Sequence, residues 1–361
     1  MCSFCLHIQT PSDNNFLNNG LVQPDRKPNP HIYEVAHIQQ EVKFYENDLA
    51  KGVIDVKNWF FFRDLSNYKL NWEVIANGEV VESGTIDNIG LNPQAKKAVK
   101  IPFTTTFNKN VEYFLNVSAV LKTDEPLLKA GYRVAYEQFK LQAANVQVPS
   151  KATEAVAYTT KGDLISVTGK EFEVAFNQKT GTLTTFNFKN KNLVESGPEV
   201  NFWRAPVDND YGAGTQKRYK AWKDAGKSAK VTTAVKQLSK SEVQISFTKD
   251  LFGGDAKLIE TFVVDGNGAV KVTNDLKAIK GKYPDFYKFG NKLVLPEAYK
   301  NITFYGKGPF EAYADRQHAA KVGLYKQTIA EQYFPYIRPQ ETGNKLEGRW
   351  VSLTKEDGSG I

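Results

Sequence analysis

An arginine, two aspartates and two glycines crowd into Trp203-Arg-Ala-Pro-Val-Asp-Asn-Asp-Tyr-Gly-Ala-Gly214. A guanidinium so near two carboxylates invites an internal bidentate ion pair, Arg204 with Asp208 or Asp210, that would fix the turn. The glycines would then act as a hinge, because they reach backbone conformations that a Cβ penalises. Gly212 in particular is expected to need a positive φ. Loop-shaping and structural support are the favoured roles, ahead of direct acid–base chemistry by these carboxylates. A calcium loop also begins with Asp at its first and third positions. Here, however, Ala213 stands where the sharp-turn glycine belongs and Tyr219 where the bidentate glutamate belongs, so that reading fails.

Other chemistry-bearing motifs fall short in similar ways. Ala225-Gly-Lys-Ser228 has the end of a phosphate-binding loop, but residue 221 is Ala where the leading glycine is required. Tyr305-Gly-Lys-Gly308 is too short for a dinucleotide fingerprint, and Glu311 replaces its last glycine. Cys2 and Cys5 form a C-x-x-C pair with His7 nearby, an incomplete zinc set with no second ligand pair. His7, His31, His37 and His318 have no metal-ligand spacing. Asn116-Val-Ser118 and Asn301-Ile-Thr303 fit the glycosylation pattern, which matters only in a eukaryotic secretory pathway.

The elements that must position these residues read as strands. The chain has 361 residues, 41% hydrophobic, 24% charged and 12% aromatic, ordinary for a soluble protein and favourable to β-sheet. Its net charge of +7 is mild over that length, and no nucleic-acid-binding module accompanies it. No apolar run approaches the roughly 18 residues of a membrane span, and the start lacks the pattern of a signal peptide. Cytoplasm and periplasm both remain open.

Residues 1–40 read as a connector with prolines at 11, 24, 28 and 30, extended over Lys27–His31 and with a short helical turn over Ile32–Gln40. Residues 41–142 hold about seven short strands in roughly 100 residues, the pattern of an immunoglobulin-like sandwich without its cysteine pair. Val53–Phe62, Leu70–Ala76, Glu79–Ser83, Glu112–Leu121 and Tyr132–Leu141 are strand candidates, and Asn77-Gly78 is a tight type I′ hairpin turn. A polar linker is expected over 143–160, followed by a larger all-β unit over 161–361. In that unit Glu171–Phe176, Leu183–Phe188, Glu242–Thr248, Lys257–Val264, Ala269–Asn274 and Trp350–Thr354 are strands. Its one helical piece is predicted over Thr215–Ala225.

Six ordered blocks then carry a family resemblance. Arg204-Ala-Pro-Val-Asp-Asn-Asp-Tyr-Gly212 resembles the signature that opens the last domain of family-two glycoside hydrolases of the β-galactosidase type. Ser12–His31 resembles the segment that leaves their catalytic barrel. Gly131–Leu141, Tyr219–Gly226, Tyr305–Arg316 and Tyr333–Asn344 continue the likeness in family order.

The resemblance implies an all-β C-terminal portion without the catalytic TIM barrel: an immunoglobulin-like sandwich, then a large galactose-mutarotase-like one, incomplete at its end. Family chemistry is retaining hydrolysis by two glutamates about 5–5.5 Å apart. Both belong to the barrel, so no catalytic residue carries over and the isolated chain is expected to be inactive. The resemblance makes Asp208, Asp210, Gly212, Ala213, Gly214 and Thr215 an active-site loop. It makes the Phe16 carbonyl and the Asn19 side chain sodium ligands once the barrel is present, since hard oxygen donors suit such a cation. Magnesium is expected in the complete enzyme, and no cofactor in the isolated chain. The implied partners are a galactoside and the barrel portion or large chain, with a homo-oligomer possible. The chain would be a truncated form, a gene fragment or a separate small chain. The competing reading is a stand-alone carbohydrate-binding or scaffold sandwich.

Overall fold

The structure is a computed structural model that describes residues 20–145, 151–227, 229–277, 280–281 and 283–361. Two compact units are present. One gathers the described residues of Met1–Val148 with Asn301–Arg338 and Thr342–Ser352; the other gathers those of Pro149–Lys300 with Pro339–Glu341 and Leu353–Ile361.

The first unit opens with helix α1 (His31–Ile38), the helical turn expected there. Strands β1 (Val42–Asp48), β2 (Val53–Asn58), β3 (Tyr68–Ala76), β4 (Glu79–Ile86), β5 (Lys96–Lys100), β6 (Tyr113–Leu121) and β7 (Arg133–Gln142) follow. They form two antiparallel sheets, ordered β1-β2-β5 and β4-β3-β6-β7. Alternation drives the packing: β3 buries Tyr68, Leu70, Trp72 and Val74, which share one core with Ile54, Val56, Leu115 and Phe139. Asn77 and Gly78, at φ 47° and 93°, make the hairpin between β3 and β4 that their sequence predicts.

The strand expected over Val53–Phe62 stops at Asn58. That buried side chain accepts the Phe60 N–H at 2.9 Å and donates to the carbonyls of Arg63 and Asn92. It therefore replaces the ladder hydrogen bonds that a longer strand would need.

The second unit holds β8 (Ala157–Lys161), β9 (Leu164–Thr168), β10 (Phe172–Asn177), β11 (Thr182–Phe188), β12 (Lys191–Asn192), β13 (Ser196–Asn201), β14 (Lys230–Ser239), β15 (Glu242–Leu251), β16 (Ala256–Asp265), β17 (Val270–Lys277) and β18 (Gly290–Val294). A five-stranded sheet, β12-β11-β10-β9-β8, and a four-stranded one, β14-β15-β16-β17, share a core of Val174, Phe176, Ile245, Phe247 and Phe262. β8 begins inside the polar stretch read as a linker. All its side chains are exposed, so pairing with β9 rather than burial makes it a strand. β13 and β18 form a separate pair.

Chain order then returns to the first unit. β19 (Asn301–Gly308) and β20 (Lys321–Thr328) pair antiparallel, and Tyr305 and Val322 pack on Ile75 and Phe114. β21 (Trp350–Thr354) falls on the last strand expected. Among the described residues the fold is all-β apart from α1, two short α-helices in the second unit and brief 3-10 turns, which is the fold class read from the sequence.

Candidate functional site

The candidate loop leaves β13 through Phe202, which is buried against Trp222, Phe286 and Phe289. Trp222 donates its indole N–H to the Pro284 carbonyl at 2.6 Å, locking this aromatic block. Residues 208–218 form two helical pieces, α2 (Asp208–Ala213) and α3 (Thr215–Arg218). The helix expected over Thr215–Ala225 therefore starts earlier and is broken. Past Arg218 the chain tightens into a 3-10 turn over Tyr219–Trp222.

Gly214 is the break. It sits in the left-handed region at φ 67°, ending α2 and capping α3. Gly212, expected to hold the positive φ, lies inside α2, and open space surrounds the place its Cβ would occupy. The special backbone position is thus Gly214. Gly212 yields it because the glycine after the last helical residue is the one that must turn left-handed.

Asp210 is the node of the loop. One carboxylate oxygen accepts from Arg204 at 2.6 Å and from the Val207 N–H at 2.8 Å; the other accepts the Thr215 hydroxyl at 2.9 Å. The Val207 contact satisfies an N–H at the start of α2 that has no intrahelical partner. Burial pushes the Asp210 carboxyl up, but these donors outweigh it and hold it below its ordinary range.

Arg204 also lies over the Tyr287 ring, 4.4 Å from its centre, and the Tyr287 hydroxyl is 2.9 Å from the Thr215 hydroxyl. Asp208, the other possible partner for Arg204, instead meets the Gln340 amide at 3.2 Å. Glu341 accepts the Ala205 N–H at 3.0 Å. The structure therefore joins Arg204, Asp210 and Thr215 and sends Asp208 elsewhere. Tyr287, Gln340 and Glu341 were missed as site residues. Gln340 and Glu341 stand in one of the quoted sequence blocks, whereas nothing local singles out Tyr287.

Beside the loop lies a cleft of about 400 Å³, with Trp203, Arg204, Ala205, Lys223 and Lys292 among its lining residues. Lys249 also reaches it, paired at 2.5 Å with Glu260, the two side chains 3% and 1% exposed. Burial pushes the Glu260 carboxyl up against the pull of that lysine. Among the described residues no three His, Cys, Asp or Glu side chains converge to hold a metal ion. Phe16 and Asn19, expected as sodium ligands, lie outside the described residues, as do Cys2, Cys5 and His7. No described helix is long and apolar enough to cross a membrane.

Known proteins match this chain over nearly all of its length. The family model described as "Beta galactosidase small chain" matches residues 168–360, and that described as "Beta-galactosidase, domain 4" matches residues 54–142. The chain belongs to the beta galactosidase small chain family. The beta-galactosidase of Priestia megaterium is 34% identical over 98% of this chain. Those of Streptococcus thermophilus and Lactobacillus delbrueckii subsp. bulgaricus are 28% and 29% identical over 97% and 96% of it. In each case the match takes in 34% of the relative, so the chain spans about a third of the length of these enzymes.

Proposed function

We propose that this chain is the non-catalytic C-terminal portion of a β-galactosidase of glycoside hydrolase family two. It would supply support sandwiches and a loop of the active-site wall. The observation that carries this reading is the alignment of nearly the whole chain with one third of enzymes named beta-galactosidase. The nucleophile and the acid/base glutamate would come from a barrel portion, and the reaction would be retaining hydrolysis of terminal β-galactosides such as lactose.

In that setting the Asp210 node has a clear task. It ties Arg204, the start of α2 and Thr215 beyond Gly214 into one unit, so the loop would move as one piece against the bound galactoside. Phe16 and Asn19 would contribute two oxygen ligands to sodium, with an acidic third ligand and the magnesium site supplied by the barrel portion.

Hydrolysis of a chromogenic galactoside tests the proposal. The purified 361-residue chain should show none, because binding contacts alone supply neither nucleophile nor proton donor. Mixing with a separately expressed barrel portion should restore turnover that rises with sodium. Turnover by the isolated chain, prepared from a host without its own enzyme, would overturn the reading.

A further inference from the structure

The block Tyr333–Asn344 has a second consequence in the first unit, independent of the candidate loop. There Glu311, nearly fully buried, collects four donors. Arg316 and the Tyr336 hydroxyl meet one oxygen, and the Thr342 hydroxyl at 3.1 Å and the Gly343 N–H at 2.9 Å meet the other. Gly343 has φ 74°, and a Cβ there would stand 2.2 Å from the Gln332 carbonyl oxygen, so only glycine lets these two segments approach. The effect is a rigid wall on one side of a cavity of about 360 Å³.

The rest of that cavity is aromatic and polar at once. The Tyr33 ring stacks on Phe310 with centres 4.6 Å apart and planes 11° from parallel, yet Tyr33 stays 46% exposed. Tyr333 is 62% exposed, and Phe334 lies beside it in the lining. Pro28 and Pro30 also line the cavity, and Asn29 between them donates its side-chain N–H to the Gly20 carbonyl at 2.7 Å. Lys345 is half-buried; its ammonium makes one long hydrogen bond, 3.3 Å to the Gly343 carbonyl, and lies 5.5 Å from the centre of the Phe304 ring, which leaves donor capacity for a ligand. Glu331 uses a single oxygen, for the Thr328 N–H and hydroxyl, which leaves the other as an acceptor.

These groups discriminate between ligand classes. A purely apolar ligand would strip water from Lys345 and Glu331 without replacing it, which is costly. An anion would meet Glu331 as well as Lys345. A neutral ring with C–H groups on one face and hydroxyls on its rim satisfies everything present: the C–H face lies on the tyrosines, and the hydroxyls accept from Lys345 and donate to Glu331. The volume is at the lower end of small-molecule sites, about 300–1,000 Å³, which suits a mono- or disaccharide.

We propose that the cavity between Tyr33, Phe310, Tyr333 and Lys345 is a non-catalytic binding site for a neutral saccharide. It does not depend on the hydrolase reading, because it is read out as binding and not as turnover.

Titration calorimetry of the 361-residue chain with lactose and with galactose 6-phosphate tests this. Lactose should bind saturably in the millimolar range, and the phosphorylated sugar more weakly. Tyr333→Ala should weaken lactose binding about tenfold, as should Lys345→Met, while Tyr333→Phe retains it. Tyr132→Ala, which alters a tyrosine of similar exposure (52%) elsewhere in the unit, should leave it unchanged. Should Tyr33→Ala unfold the protein by removing the Phe310 stack, the highly exposed Tyr333 still decides the matter. Absence of saturable lactose binding, binding unmoved by both Tyr333→Ala and Lys345→Met, or preference for the phosphorylated sugar would each overturn the proposal.

Discussion

Asp210 and Glu311 are both buried carboxylates paired with an arginine, yet they draw their partners from different distances along the chain. Asp210 takes Arg204, Val207 and Thr215, all within a few residues. Glu311 takes Arg316 nearby but also Tyr336, Thr342 and Gly343, closing a segment of about thirty residues. A local node can form and hold while the turn around it moves as a unit. A node fed from distant segments exists only when the tertiary fold does. The first therefore suits a hinge and the second a wall.

Removing each carboxylate is the strongest way to break this comparison. Glu311→Ala leaves Arg316 with an uncompensated, largely buried charge and frees three further donors. A loss of about 3–5 kcal/mol is expected, read as a lower urea midpoint. Asp210→Asn keeps the shape and an acceptor for Val207 while losing the charge opposite Arg204. The expected cost is about 1–3 kcal/mol, with faster amide exchange confined to residues 204–218. Equal losses, or exchange that spreads through the unit after Asp210→Asn, would erase the distinction between hinge and wall.

Acid sharpens the same contrast with a smaller effect. Burial pushes both carboxyls up, but their donors hold both below the ordinary values of 3.8 and 4.5. A carboxyl depressed in the fold makes the unfolded chain bind more protons. Its stabilisation is thus full above the unfolded value and fades as pH falls through the folded one. Stability should begin to drop near pH 4.5 and continue below 3.8. Denaturant midpoints measured from pH 6 to pH 3 should show a shallower acid limb in Glu311→Gln and an earlier-ending change in Asp210→Asn. An acid limb identical in all three proteins would mean these nodes are not what acid dissolves.

How much of this could be read from the sequence differs by range in the same way. The Asn77-Gly78 hairpin and the alternating strands around it were legible, because turn chemistry and period-two burial are local. So was the pairing of Arg204 with an aspartate, although it is made by one nitrogen on one oxygen and not in the bidentate form expected, and which aspartate needed the helix start: only Asp210 sits where its carboxylate can reach back to the Val207 N–H. β14 went unread because its residues are half-exposed or exposed, and lysine and glutamine blur its alternation. Tyr287 could not be found, since its roles as platform for Arg204 and partner for Thr215 arise only when β18's neighbourhood folds over the loop. The clustering of Asn301–Arg338 with strands two hundred residues earlier carries no local signature either.

The smallest expected effects separate the two glycines of the loop. Gly214→Ala forces an L-residue into φ 67° with nothing near its new methyl, so backbone strain alone should cost about 1 kcal/mol. Gly212→Ala adds a methyl to a helical position facing open space, and helix propensity alone should stabilise by up to about 1 kcal/mol. Thermal unfolding of this chain gives that difference directly, and its sign should be opposite for the two variants. In a barrel-containing enzyme Gly212→Ala is the more telling of the two. If α2 must unwind when the loop swings, a better helix former resists the motion, and kcat and KM shift together although the fold is no weaker. If α2 moves as a rigid piece about Gly214, the Gly212 variant keeps wild-type kinetics and Gly214→Ala alone changes them. Steady-state kinetics of the two variants, beside their melting temperatures, therefore decides whether the mobile element is the helix or the glycine that ends it.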